Sequence, residues 1–166
     1  MAHIGRVGLP SGQRTRYPIQ RIEGAVIMSQ ATAILLDWNN YPNFSEAEFM
    51  CKCGCGRADM QPEFLYRIQL LRTACGFPFR ITSGFRCEEH DRAEKGAGVH
   101  PSGLACDINV YGGQLLTILD SCKRRGFHRI GLKQTGKWNK RFIHLDTLVS
   151  DKHPSPAIWT YKCKPT

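Results

Sequence analysis

The chain has 166 residues, of which 42% are hydrophobic and 22% charged, enough for one ordinary globular core and not comfortably two. Twenty-three Lys and Arg against fourteen Asp and Glu give a formal net charge of +9, which favours anionic partners and excludes a strongly acidic or low-complexity chain. No stretch is long and apolar enough to span a membrane, and the Arg-containing start lacks the apolar segment of a secretory signal, Ala25-Val26-Ile27-Met28 being too short.

Taken in chain order, residues 1–40 carry Gly, Arg and Gln with Pro10 and Pro18 and no apolar period, and are expected to be a flexible or irregular extension. Ser45-Glu46-Ala47-Glu48 predicts a short helix, with Ser45 as N-cap and Glu48 at the capping-box position. Pro62 to Cys75 predicts a helix: Pro62 suits the first turn, Phe64, Ile68, Leu71 and Cys75 recur at helical spacing, and Gly76 stops it. Phe79 to Thr82 predicts a strand, Glu88 to Val99 a loop and Leu104 to Val110 a second strand. Gly113 to Arg125 predicts an amphipathic helix ending at Gly126. His128 to Lys133 and Lys140 to Leu148 predict a strand pair joined through Gly136. The tail, residues 151–166, holds Pro154 and Pro156 and no motif. The class is therefore α+β, a small antiparallel sheet flanked by helices, with the working domain over residues 41–150.

The chemistry concentrates in two stretches. His100-Pro101-Ser102-Gly103-Leu104-Ala105-Cys106-Asp107 and Phe142-Ile143-His144-Leu145-Asp146 offer two imidazoles, one carboxylate, and a second carboxylate two residues past the second His. Two His plus one carboxylate is a common ligand set of catalytic zinc, leaving a position for water. Period two places Phe142, His144 and Asp146 on one strand face and Ile143 and Leu145 on the other. A polar pair beside apolar neighbours is costly to bury without partners, so a ligand role accounts for it, although an ordinary satisfied core His and a strand-capping Asp would also fit each residue singly. Gly103 and Ala105 are small, as suits close backbone approach.

These residues resemble a family. His100-x-x-Gly103-x-Ala105-x-Asp107 followed by Phe142-x-His144-x-Asp146 is similar to the zinc D-alanyl-D-alanine carboxypeptidases and their cell-wall endopeptidase relatives, especially the small peptidase domains of phage lysis proteins. Ile81-Thr82-Ser83-Gly84-Phe85-Arg86 resembles the family's Ser-Gly-Tyr-Arg element with Phe for Tyr, and Glu89-His90-Asp91 the His-Asn pair that follows it. Asn43 to Gly54 resembles the entry segment of such domains, so the likeness covers roughly residues 42–148.

The resemblance implies a hedgehog-like peptidase fold, Zn²⁺ held by His100, Asp107 and His144, and hydrolysis of peptide bonds in the peptidoglycan stem or cross-link. It implies that Arg86 pairs with a substrate carboxylate or polarises the scissile carbonyl, as a planar guanidinium fork can. Several relatives carry an Asp or Glu three residues before the last His ligand. Here Arg141 stands there, and it cannot accept a proton near neutral pH. Asp146 is then the first candidate, either as general base or as the group that orients a ligand imidazole, with His90 and His128 behind it. The substrate would be a peptidoglycan peptide, the chain a monomer, made in the cytoplasm and reaching the bacterial wall by a phage-type release or in a virion.

Two features are left over. Cys51-Lys52-Cys53-Gly54-Cys55-Gly56 is the dense part of eight cysteines: one reading is part of a structural zinc site completed by Cys75, Cys87 or His90, the other a Gly-rich loop of reduced thiols. The spacing lacks the paired Cys-x-x-Cys of a zinc ribbon and leans to the second. Lys123-Arg124-Arg125 and the run from Lys137 to Arg141 lack the aromatic interleaving of a single-strand binder, so the charge is read as an aid to wall association with no specific nucleic acid. Two further classes stay open: a non-catalytic zinc module of the same fold, and a basic nucleic-acid-binding protein, whose affinity would fall steeply with salt.

Overall fold

A computed structural model describes residues 36–162. The predicted extension 1–40 therefore lies almost wholly outside the described residues. The elements run α1 (Glu46–Phe49), α2 (Pro62–Cys75), β1 (Arg80–Ser83), α3 (Glu88–Ala93), β2 (Ala105–Asn109), α4 (Gly112–Cys122), β3 (Arg129–Lys133), β4 (Phe142–Asp146) and β5 (Ala157–Thr160). Short 3-10 turns lie at Trp38–Asn40, His100–Ser102, Lys123–Arg125 and Trp138–Lys140. The α+β class holds. No described helix is long and apolar enough to cross a membrane.

Local chemistry sets the helices. The Glu48 carboxylate accepts from the Ser45 N–H at 2.8 Å, the capping-box bond that starts α1. Pro62 occupies the first turn of α2, and Phe64, Leu65, Ile68 and Leu71 form its buried stripe. Glu88–Ala93 is helical where the sequence reading had a loop: its apolar content is too low for a periodic signal, and its buried residue is the acid Asp91.

The five strands form one sheet in the order β1-β2-β4-β3-β5. The first four pair antiparallel, but β5 pairs parallel to β3, so the sheet is mixed and not antiparallel throughout. The long return from β4 through Pro154 and Pro156 brings β5 to the far edge. One face carries Ile108, Ile143 and Leu145 into the core, where they meet α2 and α4 through Phe64, Ile68 and Ile118. Cys106 lies in the same core, as its alternation with Asp107 predicts.

The opposite face positions the polar residues. A single cross-strand row runs Ser83, Asp107, His144, Gly131, Trp159, one residue from each strand. A neighbouring row runs Ala105, Asp146, Arg129, Ala157. Residues opposite each other on adjacent strands hold their Cβ atoms within about 5.5 Å, so these registers alone bring the polar side chains into reach.

Candidate metal centre and cleft

His100 opens the 3-10 turn that leads into β2. Its Nδ1 lies 2.7 Å from the Gly84 carbonyl oxygen. A carbonyl only accepts, so Nδ1 carries a proton and Nε2 is the nitrogen turned inward. Nε2 points to Asp107, 3.6 Å from Oδ2. Gly103 closes the turn at φ +71°, and a Cβ there would sit 2.2 Å from the Asp59 carbonyl oxygen, so the close approach foreseen at this glycine is real.

Asp107 and His144 face each other on β2 and β4. His144 Nδ1 lies 2.8 Å from Asp107 Oδ1, and its Nε2 lies 3.0 Å from Asp146 Oδ2. Asp146 is fully buried. Its Oδ1 accepts from Arg129 Nε at 2.8 Å and from the Leu148 N–H at 3.1 Å. Arg129 in turn donates to the Pro154 carbonyl. Among the described residues no fully buried side-chain nitrogen or oxygen lacks a partner.

The electrostatics follow from that chain of contacts. Burial pushes the Asp107 carboxyl up, but hydrogen bonds and charge from His100 and His144 outweigh it and hold it well below the usual carboxylate range. Burial pushes His144 down, but Asp107 and Asp146 outweigh it and raise the imidazole to about 9 in the metal-free protein.

Arg86 stands over this group. Its Nε donates to Ser83 Oγ at 2.8 Å, one terminal nitrogen to Asp91 Oδ1 at 3.2 Å and the other to Asp107 Oδ2 at 3.2 Å. Asp91 is buried and also accepts from the Gly98 N–H at 2.9 Å. Arg86 is therefore tied to Asp91, not to neighbouring Glu88 or to solvent alone.

The three donors border a cleft of about 600 Å³, with Arg86, Trp159, Tyr161, Glu94 and His153 among its other walls. Trp159 packs against His144, ring centroids 5.5 Å apart. Space for the indole comes from Gly131, where a Cβ would lie 2.7 Å from the Trp159 ring. Of the proton-acceptor candidates, Asp146 lies behind His144 and does not line the cleft. His90 sits 3.2 Å from Cys51 Sγ, and His128 is exposed on another surface pocket. Arg141 stacks on Trp138, 3.7 Å from guanidinium carbon to ring centroid, and donates to the Gly136 carbonyl.

The sequence reading missed Trp159, Tyr161, Arg129 and Glu94. The run Ile158-Trp159-Thr160-Tyr161, bounded by Pro156, was a strand signal that would have found the first two. Asp91 was placed in the element resembling the family's His-Asn pair but given no role, and Arg129 carries no local signal, since its partner Asp146 lies seventeen residues away on another strand.

His100, Asp107 and His144 place one ligand atom each within 4.8 Å of one another. The set fits a metal: both imidazoles hand an outward nitrogen to a fixed partner and turn the other inward, the arrangement that orients histidine ligands. Fold and donor set together fit a small α+β protein with a metal-binding cleft. The Peptidase M15 family model matches residues 42–146, and the chain belongs to that family of zinc peptidases. No curated protein matches the chain.

Proposed function

We propose that this chain is a zinc-dependent peptidase that hydrolyses peptide bonds of the peptidoglycan stem or cross-link, as a D-Ala-D-Ala carboxypeptidase or endopeptidase of phage-lysis type acting at the bacterial wall. The observation that carries the reading is the convergence of His100 Nε2, Asp107 and His144 Nδ1 on one side of a cleft. These three would hold Zn²⁺. The ion, when bound, supplies Lewis acidity and brings the pKa of water to about 7.

The remaining steps belong to the chain's own groups. Arg86 uses three of its five N–H donors on Ser83, Asp91 and Asp107, which leaves two for a substrate carboxylate or the developing oxyanion. Lys95, Arg129 and Lys152 also border the cleft, a cationic setting suited to stem peptides that end in carboxylates. Asp146, with both oxygens engaged in the interior, acts as a positioning residue for His144. Glu94 is the described cleft carboxylate outside the donor set, and we assign it proton acceptance and return to the leaving amine.

The test is digestion of purified peptidoglycan by the zinc-loaded protein, its His100→Ala variant and a chelated sample, with product masses read by mass spectrometry. Cleavage by the first alone supports the reading, and the masses name the bond. Bound zinc without cleavage of any wall chemotype would favour the non-catalytic module of the same fold, a reading that Arg141 at the usual base position keeps in play.

A further inference from the structure

A second group of metal-binding side chains lies outside the cleft. The loop Cys51-Lys52-Cys53-Gly54-Cys55-Gly56 curls back on itself, and Cys51 N–H donates to the Arg57 carbonyl at 2.8 Å to close it. Gly54 and Gly56 sit at φ +86° and +71°, backbone that side-chain-bearing residues rarely adopt, and the two turns bring alternate cysteines to one side. Cys87, at the start of α3, enters the same group across more than thirty residues of sequence. The sulfurs of Cys51, Cys53, Cys55 and Cys87 all lie within 4.8 Å of one another. Cys75 lies elsewhere, beside the Thr117 carbonyl.

The spacings carry the argument. Cys51 and Cys53 sulfurs are 3.4 Å apart, Cys53 and Cys87 3.6 Å, and Cys51 and Cys87 3.9 Å. A disulfide needs about 2.05 Å. Four sulfurs on a tetrahedral Zn²⁺ at about 2.3 Å are separated from one another by about 3.8 Å. No two of these sulfurs are bonded, and their separations are close to those of sulfurs around a shared ion. Its surroundings suit thiolate charge: the Cys87 N–H donates to Cys51 Sγ at 3.3 Å, His90 Nδ1 lies 3.2 Å from the same sulfur, and Arg57 shares a surface pocket with Cys55 and Cys87. Cys51 and Cys87 are buried while Cys53 and Cys55 are exposed, so an ion has an open path in.

We propose that Cys51, Cys53, Cys55 and Cys87 hold a second, structural Zn²⁺ that staples the entry loop to the segment carrying Arg86. That segment is the frame of the cleft. The Gly84 carbonyl fixes the ring of His100, Phe85 N–H donates to the Phe49 carbonyl at 2.9 Å, Arg86 reaches Asp107, and Cys87 binds the staple. Four consecutive residues thereby join the two metal groups. The closed tetrathiolate leaves no position for water, so its role is to hold and not to react.

Zinc per chain and X-ray absorption of the reduced, full-length protein test this. The wild type is expected to bind two Zn²⁺. His100→Ala is expected to retain one, with a sulfur shell at about 2.3 Å. The Cys53→Ser/Cys55→Ser variant is expected to retain one, with nitrogen and oxygen neighbours. If that variant does not fold, the wild type and His100→Ala still decide. A wild type without sulfur scattering, a metal-free His100→Ala protein, or iron in place of zinc would overturn the proposal. Loss of the nitrogen-and-oxygen shell alone would instead count against the cleft reading, so the two failures are told apart.

Discussion

His144 and Asp146, two residues apart on β4, are joined by a hydrogen bond of 3.0 Å between Nε2 and Oδ2, and that bond turns the Nδ1 of the imidazole toward Asp107. Asp146 is in turn held by Arg129, its cross-strand neighbour on β3. Asp146→Ala removes both supports. Zinc affinity of the cleft site should fall by roughly 10–100-fold. Stability should fall by about 3–5 kcal/mol, because the buried Arg129 loses its carboxylate. Calorimetric zinc titration and denaturant unfolding check the two effects. A variant that keeps full zinc affinity and loses only turnover would instead make Asp146 the proton acceptor.

The raised His144 pKa gives a pH signature. In the metal-free protein the imidazole titrates near 9 instead of 6.5, so it is protonated at neutral pH. The stability it contributes is full below about 6.5 and is lost as pH rises from there to about 9. Asp107, shifted the other way, contributes above its unfolded pKa and loses that contribution only in strong acid. Thermal melts of chelated protein should therefore weaken between pH 6.5 and 9. Zinc must displace the His144 proton, so its affinity should rise about tenfold per pH unit over the same window. Affinity that is flat with pH would show a neutral His144.

The cleft side chains separate by kinetics. Arg86→Lys keeps the charge but loses the fork that spans Ser83, Asp91 and Asp107. Its kcat/KM should drop by roughly 10²–10³-fold with zinc content unchanged, as for loss of an oxyanion donor. Glu94→Gln should lower kcat by roughly 10²–10⁴-fold with zinc content unchanged. A kcat equal to that of the wild type would remove Glu94 from the chemistry.

Gly131→Ala tests the wall built by β5. The added methyl would meet the Trp159 and Tyr161 rings at under 3 Å, with no flexible chain end to yield. A cost of about 1–3 kcal/mol is expected, with a shift in Trp fluorescence as the indole leaves His144. A variant as stable as wild type, with unchanged emission, would show that β5 packs differently.

Most of the frame was legible because its signals are local. Pro62 and Gly76 bound α2, and alternation along β4 sends Ile143 and Leu145 to the core and His144 and Asp146 to the other face. His100, Asp107 and His144 could be paired because ligand chemistry restricts residue type. The rest depends on contacts between distant segments. Nothing in Arg129 announces Asp146, nothing in Asp91 announces Arg86, and Cys87 joins Cys51 only once α3 lies beside the entry loop. The strand signal of β5 was passed over in a tail read as holding no motif, and its parallel pairing with β3 is a contact between distant segments.

The most direct test of the account is a zinc titration of the chelated protein, with release of peptides from purified peptidoglycan followed at each point. Cleavage should be absent at the start. It should then rise in proportion to occupancy of the nitrogen-and-oxygen site, and His100→Ala should stay silent throughout. Equal cleavage by chelated and loaded protein, or a filled site that releases nothing, would contradict it.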